Sequence, residues 1–273
     1  FQAEDGIRDR QARLVGSEMC IRDRYRTIKR PLLTNIEGDS VTPPIPNGNL
    51  IMVTSALAGE GKTFTAISLA MSIAMEQDKR VLFVDADIAK ARGGNLLGIS
   101  ENQRGLIDVL ENPEVSLGDV IMRTNMEKLN ILPAGAFHER CNELLASESM
   151  LEIMKELSRR YTDRVVIFDS PPVLLTTEAG VLANLMGQIV FVVQADATPQ
   201  HVVEEALERI SGDKMVGMVL NKARSARFNR LAYGYGYGYG KGYGYGDGKE
   251  SRQPVEQGLG EDQVEAAAEQ AGA

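Results

Sequence analysis

The fold of this 273-residue chain is decided by one stretch, Leu50-Ile51-Met52-Val53-Thr54-Ser55-Ala56-Leu57-Ala58-Gly59-Glu60-Gly61-Lys62-Thr63. The apolar run Leu50–Thr54 predicts a buried strand, and the strong helix formers of Thr63–Glu76 predict a helix. The segment between them matches the pattern Gly-x4-Gly-Lys-Ser/Thr except at Ala56, where the pattern has its first glycine. Because strand, loop, Lys-Thr pair and helix coincide, the sequence predicts a phosphate-binding P-loop.

The residues of this loop have separate predicted tasks. Gly59 and Gly61 let the backbone curl, so that successive N–H groups point at a β-phosphate at the positive end of the helix. Lys62 is expected to reach the β- and γ-phosphates, and the Thr63 hydroxyl to ligate Mg²⁺. We therefore expect ATP and Mg²⁺ as cofactors. The predicted nucleotide-binding residues are Ala58, Gly59, Glu60, Gly61, Lys62, Thr63, Phe64 and Asn221.

Two further apolar runs end in aspartates. Val81–Val84 precedes Asp85-Ala86-Asp87, and Val165–Phe168 precedes Asp169. Ligands of open parallel sheets bind at the carboxyl ends of strands, so we predict Asp85 and Asp169 as Mg²⁺ ligands together with Thr63. Lys62, Asp85 and Asp87 are the predicted catalytic residues, with either Asp85 or Asp87 accepting a proton from the substrate. The alternatives are a solvated turn for the Asp85/Asp87 pair and a helix N-cap for Asp169.

Strands alternate with helices over residues 40–225, which predicts an α/β, doubly wound, mostly parallel sheet. The apolar runs at 165–168, 189–193 and 215–220 are typical of strands covered on both faces. Asn221-Lys222 follows the last of these runs, where it would contact the nucleotide base or form a turn. The remaining predicted elements are a strand at 129–133 and helices at 106–110, 117–123, 141–160 and 198–210.

The first 24 residues fit nothing downstream. Residues 2–9 and 14–23 match translations of sequencing-library adapters, so we predict that 1–24 are adapter-derived and that native sequence begins near Tyr25, with its true N-terminus missing. The alternative is an ordinary charged N-terminal helix. Residues 25–48 are predicted to be a basic segment followed by a turn-rich linker.

The C-terminal region changes character after residue 230. Six of the eight tyrosines alternate mainly with glycine over residues 233–245, a composition that gives no apolar core and predicts a flexible tail at 231–246. Residues 247–273 are acidic and predicted to be disordered. The alternative for the tyrosine-rich segment is a low-complexity aggregation or assembly tail. The tail tyrosines are Tyr233, Tyr235, Tyr237, Tyr239, Tyr243 and Tyr245.

Composition limits the possible partners and compartment. The net charge of −8 argues against a dedicated nucleic-acid binder. Two cysteines, Cys20 and Cys141, cannot build a disulfide framework, which favours a reducing cytoplasm. We find no secretory signal and no apolar run as long as the roughly 18 residues of a membrane span.

The order of these motifs resembles the bacterial tyrosine kinases over residues 25–245, most closely the exopolysaccharide-associated and exosortase-associated autokinases of the CpsD/CapB type. Ala89 stands where that family has an arginine in Asp-x-Asp-x-Arg, with Lys90 and Arg92 just beyond. Arg26, Lys29 and Arg30 resemble the remnant of a helix that the family uses in ring assembly.

This resemblance implies a kinase domain at 49–230 with a MinD/ParA-like P-loop fold. It also implies ATP-dependent autophosphorylation of the tail tyrosines in trans, within a ring-like homo-oligomer. The expected role is regulation of exopolysaccharide synthesis and export, and the expected partner is a membrane activator of the chain-length-determinant type. Through that partner the protein would lie at the inner face of the plasma membrane.

Two other functions remain open from the sequence. One is a MinD/ParA-like ATPase switch, although such proteins carry an additional lysine early in the P-loop, where residues 55–58 are Ser-Ala-Leu-Ala, and they lack a tyrosine tail. The other is a regulatory module whose nucleotide state controls polysaccharide assembly without catalysis.

Overall fold

The computed structural model of the protein describes residues 18–88, 96–100, 103–136, 141–160, 163–210 and 212–223, with the backbone alone for 18–24, 142 and 160. Seven strands form one sheet in the order β3-β4-β2-β5-β1-β6-β7. Every pairing is parallel except that of β3 with β4. The strands are β1 (Leu50–Ser55), β2 (Arg80–Asp85), β3 (Met122–Arg123), β4 (Leu129–Leu132), β5 (Arg164–Asp169), β6 (Gln188–Gln194) and β7 (Met215–Asn221).

Helices cover both faces of this sheet, which confirms the doubly wound α/β prediction. Side chains alternate along β1, so Ile51 and Val53 pack with α1 and α2 while Leu50 and Met52 pack on the opposite face. The described helices are α1 (Glu18–Glu37), α2 (Lys62–Ala74), α3 (Leu106–Glu111), α4 (Leu117–Val120), α5 (Cys141–Leu145), α6 (Glu148–Arg160), α7 (Thr177–Leu185) and α8 (Gln200–Glu208).

The strand order positions the candidate site. The chain starts in the middle of the sheet at β1, crosses to β2, returns to β5 and then continues on the other side with β6 and β7. Strand order therefore reverses around β1 and β5, and the carboxyl ends of β2, β5 and β1 are neighbours. A crevice at such a reversal is where open α/β sheets bind ligands.

Helix α1 includes the first part of the predicted basic segment, residues 25–37, and polar contacts fix it to the domain. Lys29 Nζ donates to Ser72 O at 2.7 Å and pairs with Glu76 Oε1 at 2.7 Å. Gln188 Nε2 donates to Leu32 O at 3.1 Å and to Gly48 O at 2.7 Å. The helix begins at Glu18, inside the segment predicted to be adapter-derived, and the origin of residues 1–24 stays a prediction.

Three local expectations differ from the structure. Strand β7 was predicted to be covered on both faces, but Met218 and Leu220 are each 57% exposed. The reason is that β7 lies at the edge of the sheet, where β6 is its one neighbour among the described strands. The helix predicted at 117–123 ends at Val120, and Met122–Arg123 pairs with β4 instead. Helix α7 was not predicted. Among the described helices, none is both long and apolar enough to cross a bilayer.

Candidate nucleotide-binding site

The loop between β1 and α2 has the conformation that its glycines predict. Gly59 and Gly61 have φ angles of +87° and +97°, values at which a side chain would be strained. Gly61 is the N-cap of α2, so the first N–H groups of that helix lack intrahelical partners and face the loop. Ala58 and Gly59 are exposed, and a Cβ built on Gly59 would meet nothing within 4 Å. The loop is therefore an open cradle of backbone donors, suited to phosphate.

Ala56 is accommodated where the motif usually has glycine. It is fully buried, and its carbonyl accepts a hydrogen bond from Leu174 N at 3.4 Å. Two hydroxyl groups that the sequence analysis did not single out fasten the P-loop strand to the segment after β5. Thr54 Oγ1 donates to Pro171 O at 2.9 Å, and Ser170 Oγ donates to Val53 O at 3.0 Å.

The three predicted aspartates converge beside this loop. Asp85 and Asp169 are register partners at the ends of the adjacent parallel strands β2 and β5. Ala86 N donates to Asp169 O at 2.8 Å, which extends the pairing past the end of β2. All three carboxylates, including that of Asp87, are at most 2% exposed. These burials contradict the solvated-turn alternative for Asp85 and Asp87.

Lys62 reaches the acidic strand ends across the loop. Its Nζ pairs with Asp87 Oδ2, and both side chains are almost completely buried. A buried ion pair needs its partners because either charge alone would be costly to remove from water. Lys62 thus links the P-loop, at the end of β1, directly to the Asp87 carboxylate that follows β2.

Asp169 is electrostatically the most unusual group of the site. Burial raises the pKa of its carboxyl to about 7, against the lowering effect of Lys62 and with a further rise from Asp85. The nearby Thr63 hydroxyl lowers the pKa of Asp169. It does not meet the geometric criteria for a hydrogen bond to the Asp169 carboxylate, and neither oxygen of that carboxylate has a hydrogen-bond partner among the described residues. A buried carboxylate without donors is suited to a cation or its water shell.

Mg²⁺ fits this donor set. It prefers oxygen ligands, keeps several waters and is usually held by one or two carboxylates together with phosphate oxygens. Thr63, Asp85 and Asp169 supply one hydroxyl and two buried carboxylates at adjoining positions. Among the described residues, no group of three or more His, Cys, Asp or Glu side chains is placed to hold a metal ion. The cation would therefore depend on phosphate oxygens and water for its remaining ligands.

Two predicted nucleotide-binding residues have other side-chain contacts. The Glu60 carboxylate is buried and accepts hydrogen bonds from Gln194 N at the end of β6 and from Thr198 Oγ1 in the turn that follows. Asn221 Nδ2 donates to Glu60 O at 2.8 Å, and Lys222 Nζ donates to Gly59 O at 2.6 Å. Asn221 therefore lies at the P-loop, and contact with a base stays a prediction.

The structure describes some of the other residues considered from the sequence and leaves the rest outside its described ranges. The Phe64 side chain is 46% exposed at the start of α2. Cys141 is buried and His201 is exposed. Ala89, Lys90, Arg92 and the six tail tyrosines lie outside the described residues.

Comparison with known proteins places this geometry in a family. Residues 48–212 match the family described as "AAA domain". The chain is 34% identical over 213 residues to the tyrosine-protein kinase YwqD of Bacillus subtilis strain 168, covering 77% of this chain and 85% of that protein. The chain belongs to the bacterial tyrosine-protein kinases.

Two solved structures separate the shared fold from the family. The kinase domain of the Escherichia coli tyrosine kinase ETK superposes with a TM-score of 0.62 at 25% identity, covering 80% of each chain. The septum site-determining protein MinD from Pyrococcus horikoshii OT3, complexed with Mg-ADP, gives a TM-score of 0.52 at 25% identity, covering 65% of this chain and 72% of MinD. The kinase therefore has the predicted MinD/ParA-like P-loop fold, and its family membership favours the kinase interpretation over the ATPase switch.

Proposed function

We propose that this tyrosine kinase uses ATP and Mg²⁺ to phosphorylate tyrosines in the C-terminal segment of neighbouring copies of itself. The observation that carries the proposal is the convergence of the P-loop with three buried aspartates at adjacent strand ends. Phosphoryl transfer depends mainly on positioning and on neutralising charge, so a rigid arrangement of this kind supplies what the reaction needs.

The predicted residues have distinct roles in this proposal. The N–H groups of residues 58–64 would hold the phosphates, and Thr63, Asp85 and Asp169 would hold Mg²⁺. When bound, the cation would neutralise the charge of the phosphate oxygens. Lys62 would leave Asp87 for the β- and γ-phosphates, since a triphosphate offers it more negative charge than one carboxylate.

Asp87 is the proposed general base. Asp85 is the register partner of Asp169 and is committed to the cation in this scheme, whereas Asp87 would be released when Lys62 moves to the phosphates. The tyrosine Oη attacks the γ-phosphorus, the bond from that phosphorus to the ADP oxygen breaks, and the phenolic proton passes to Asp87.

The acceptors are the tail tyrosines, Tyr233 to Tyr245. The alternation with glycine predicts a flexible segment, which would enter a neighbouring active site. Each phosphotyrosine adds about −1.5 to −2 charge at neutral pH, so repeated phosphorylation would repel neighbouring subunits and favour ring disassembly.

Assembly and regulation complete the proposal. We place the protein in a ring-like homo-oligomer at the inner face of the plasma membrane, bound to a membrane activator and regulating exopolysaccharide synthesis and export. Arg26 and Arg30 are exposed on α1 and available for subunit contacts, whereas Lys29 is buried against α2 and has a structural role.

Incubation with γ-labelled ATP and Mg²⁺ tests the activity. Label on tyrosines within 233–245 is the expected result, and deletion of residues 231–246 should remove most label while sparing ATP binding. Release of free phosphate without phosphotyrosine would instead support an ATPase switch, and neither product would support a non-catalytic module.

A further inference from the structure

We propose that Glu60 is a positioning residue that holds the P-loop in its phosphate-binding shape by tying it to the segment between β6 and α8. The proposal rests on the proposed ATP site and deepens it. It assigns to the Glu60 side chain a role that differs from direct nucleotide contact, and it adds Thr198 to the residues on which ATP affinity depends.

The contacts of the Glu60 carboxylate carry the proposal. Oε2 accepts a hydrogen bond from Leu57 N at 2.6 Å, which closes the loop on itself. Oε1 accepts from Thr198 Oγ1 at 2.5 Å and from Gln194 N at 3.3 Å. Glu60 is 2% exposed, so its carboxylate is shielded from water and would be costly to leave without a partner. One side chain therefore links two turns of the domain that are 134–138 residues apart in sequence.

The position of Glu60 explains why the loop needs an anchor. It lies between Gly59 and Gly61, both at positive φ, and glycine loses more conformational freedom on ordering than any other residue. A loop that holds its binding-competent shape only part of the time binds ligand more weakly in proportion to that fraction. The anchoring of Glu60 therefore raises the fraction of molecules in which the loop has its binding-competent shape.

The same contacts leave the phosphate-facing donors available. Glu60 takes the N–H of Leu57, which precedes the residues predicted to bind phosphate, and its other carboxylate oxygen is bound by Thr198. On the C-terminal side, Asn221 and Lys222 bind the carbonyls of Glu60 and Gly59. The loop is thus held from outside by the ends of β6 and β7.

The test measures ATP affinity and turnover separately. Loss of a single intramolecular hydrogen bond changes an equilibrium by about 2- to 12-fold, so Thr198→Val should raise the Kd for ATP within that range. Glu60→Ala loses three bonds and should raise Kd and KM at least about 10-fold while kcat at saturating ATP stays within about two-fold. Glu60→Gln keeps one acceptor oxygen and should fall between them.

A double-variant cycle separates this role from general destabilisation. Glu60→Ala combined with Thr198→Val should bind ATP no more weakly than Glu60→Ala alone, because both changes remove the same link. The matched control is Thr177→Val, which also removes a Thr–Glu hydrogen bond at the start of a helix, that of Thr177 Oγ1 to Glu178 Oε1, but makes this bond within α7 and not to the P-loop. Its Kd should not change.

Hydrogen exchange provides a readout that does not depend on kinase activity. In the wild-type protein, saturating ATP should slow exchange at 195–203, because the ordered loop holds that segment through Glu60; in Glu60→Ala the effect should be absent. An unchanged Kd in Glu60→Ala, additive effects in the cycle, or a fall in kcat at constant Kd would overturn the inference. If Glu60→Ala does not fold, Thr198→Val and Glu60→Gln decide it. Failure of the wild-type protein to bind ATP would instead refute the proposed function.

Discussion

Replacement of Asp169 by asparagine should stabilise the nucleotide-free kinase, and increasingly so as the pH rises. The fold raises the pKa of this carboxyl from 3.8 to about 7, chiefly through burial. Folding therefore opposes ionisation, and the stability lost through this group grows as the pH rises from about 4 to about 7. At pH 8 the linkage relation gives a loss of about 4 kcal/mol, and at pH 5 a loss of about 2 kcal/mol. Asparagine fills the same space and carries no charge.

The expected result is a widening stability gap between variant and wild type. From pH 5 to pH 8 the difference in free energy of unfolding should grow by roughly 2–3 kcal/mol in favour of Asp169→Asn. Urea unfolding in EDTA without nucleotide measures it, with Asp213→Asn at an exposed position as the control. The same variant should lose the Mg²⁺-dependent part of the thermal stabilisation by ATP. A gap that stays constant or shrinks with rising pH would refute the electrostatic reasoning.

Three further predictions have definite expected outcomes. Lys62→Met should abolish phosphotyrosine formation and weaken ATP binding, and persistent label would contradict the proposed role of Lys62. Gly61→Ala should reduce ATP affinity more than Gly59→Ala, as measured by titration; both have positive φ, but only a Cβ at Gly61 meets Asn221 Nδ2, at 2.1 Å. Gln188→Leu removes the side-chain donor to the carbonyls of Leu32 and Gly48 and should lower the free energy of unfolding by about 1–3 kcal/mol, as measured by chemical denaturation. Equal stability of variant and wild type would contradict this prediction.

Much of the candidate site follows from local sequence. Strand, glycine loop and helix are contiguous in the chain, so the sequence alone predicts the positions of Gly59, Gly61 and Lys62 in the loop. Asp85 and Asp169 each end an apolar strand, and parallel topology brings such ends together. These predictions depend on neighbours in the chain and on one rule of sheet architecture.

Contacts between distant segments could not be predicted in the same way. The direction of the Glu60 side chain depends on Thr198, which lies 138 residues later, and the pairing of Lys62 with Asp87 depends on how two loops meet. The exposure of β7 follows from its place at the sheet edge, which an apolar run at 215–220 does not encode. Sequence pattern identifies a strand, but the strand order decides what covers it.

The central claim is tested most directly by mixing two complementary variants. Lys62→Met keeps the tail tyrosines and lacks the P-loop lysine, whereas the protein lacking residues 231–246 keeps the active site and lacks the acceptors. With labelled ATP and Mg²⁺, neither variant alone should form substantial phosphotyrosine, and the mixture should label tyrosines 233–245 of Lys62→Met. An unlabelled mixture, when the wild-type protein is labelled under the same conditions, would contradict phosphoryl transfer between copies; an unlabelled wild-type protein would contradict the kinase assignment of this site.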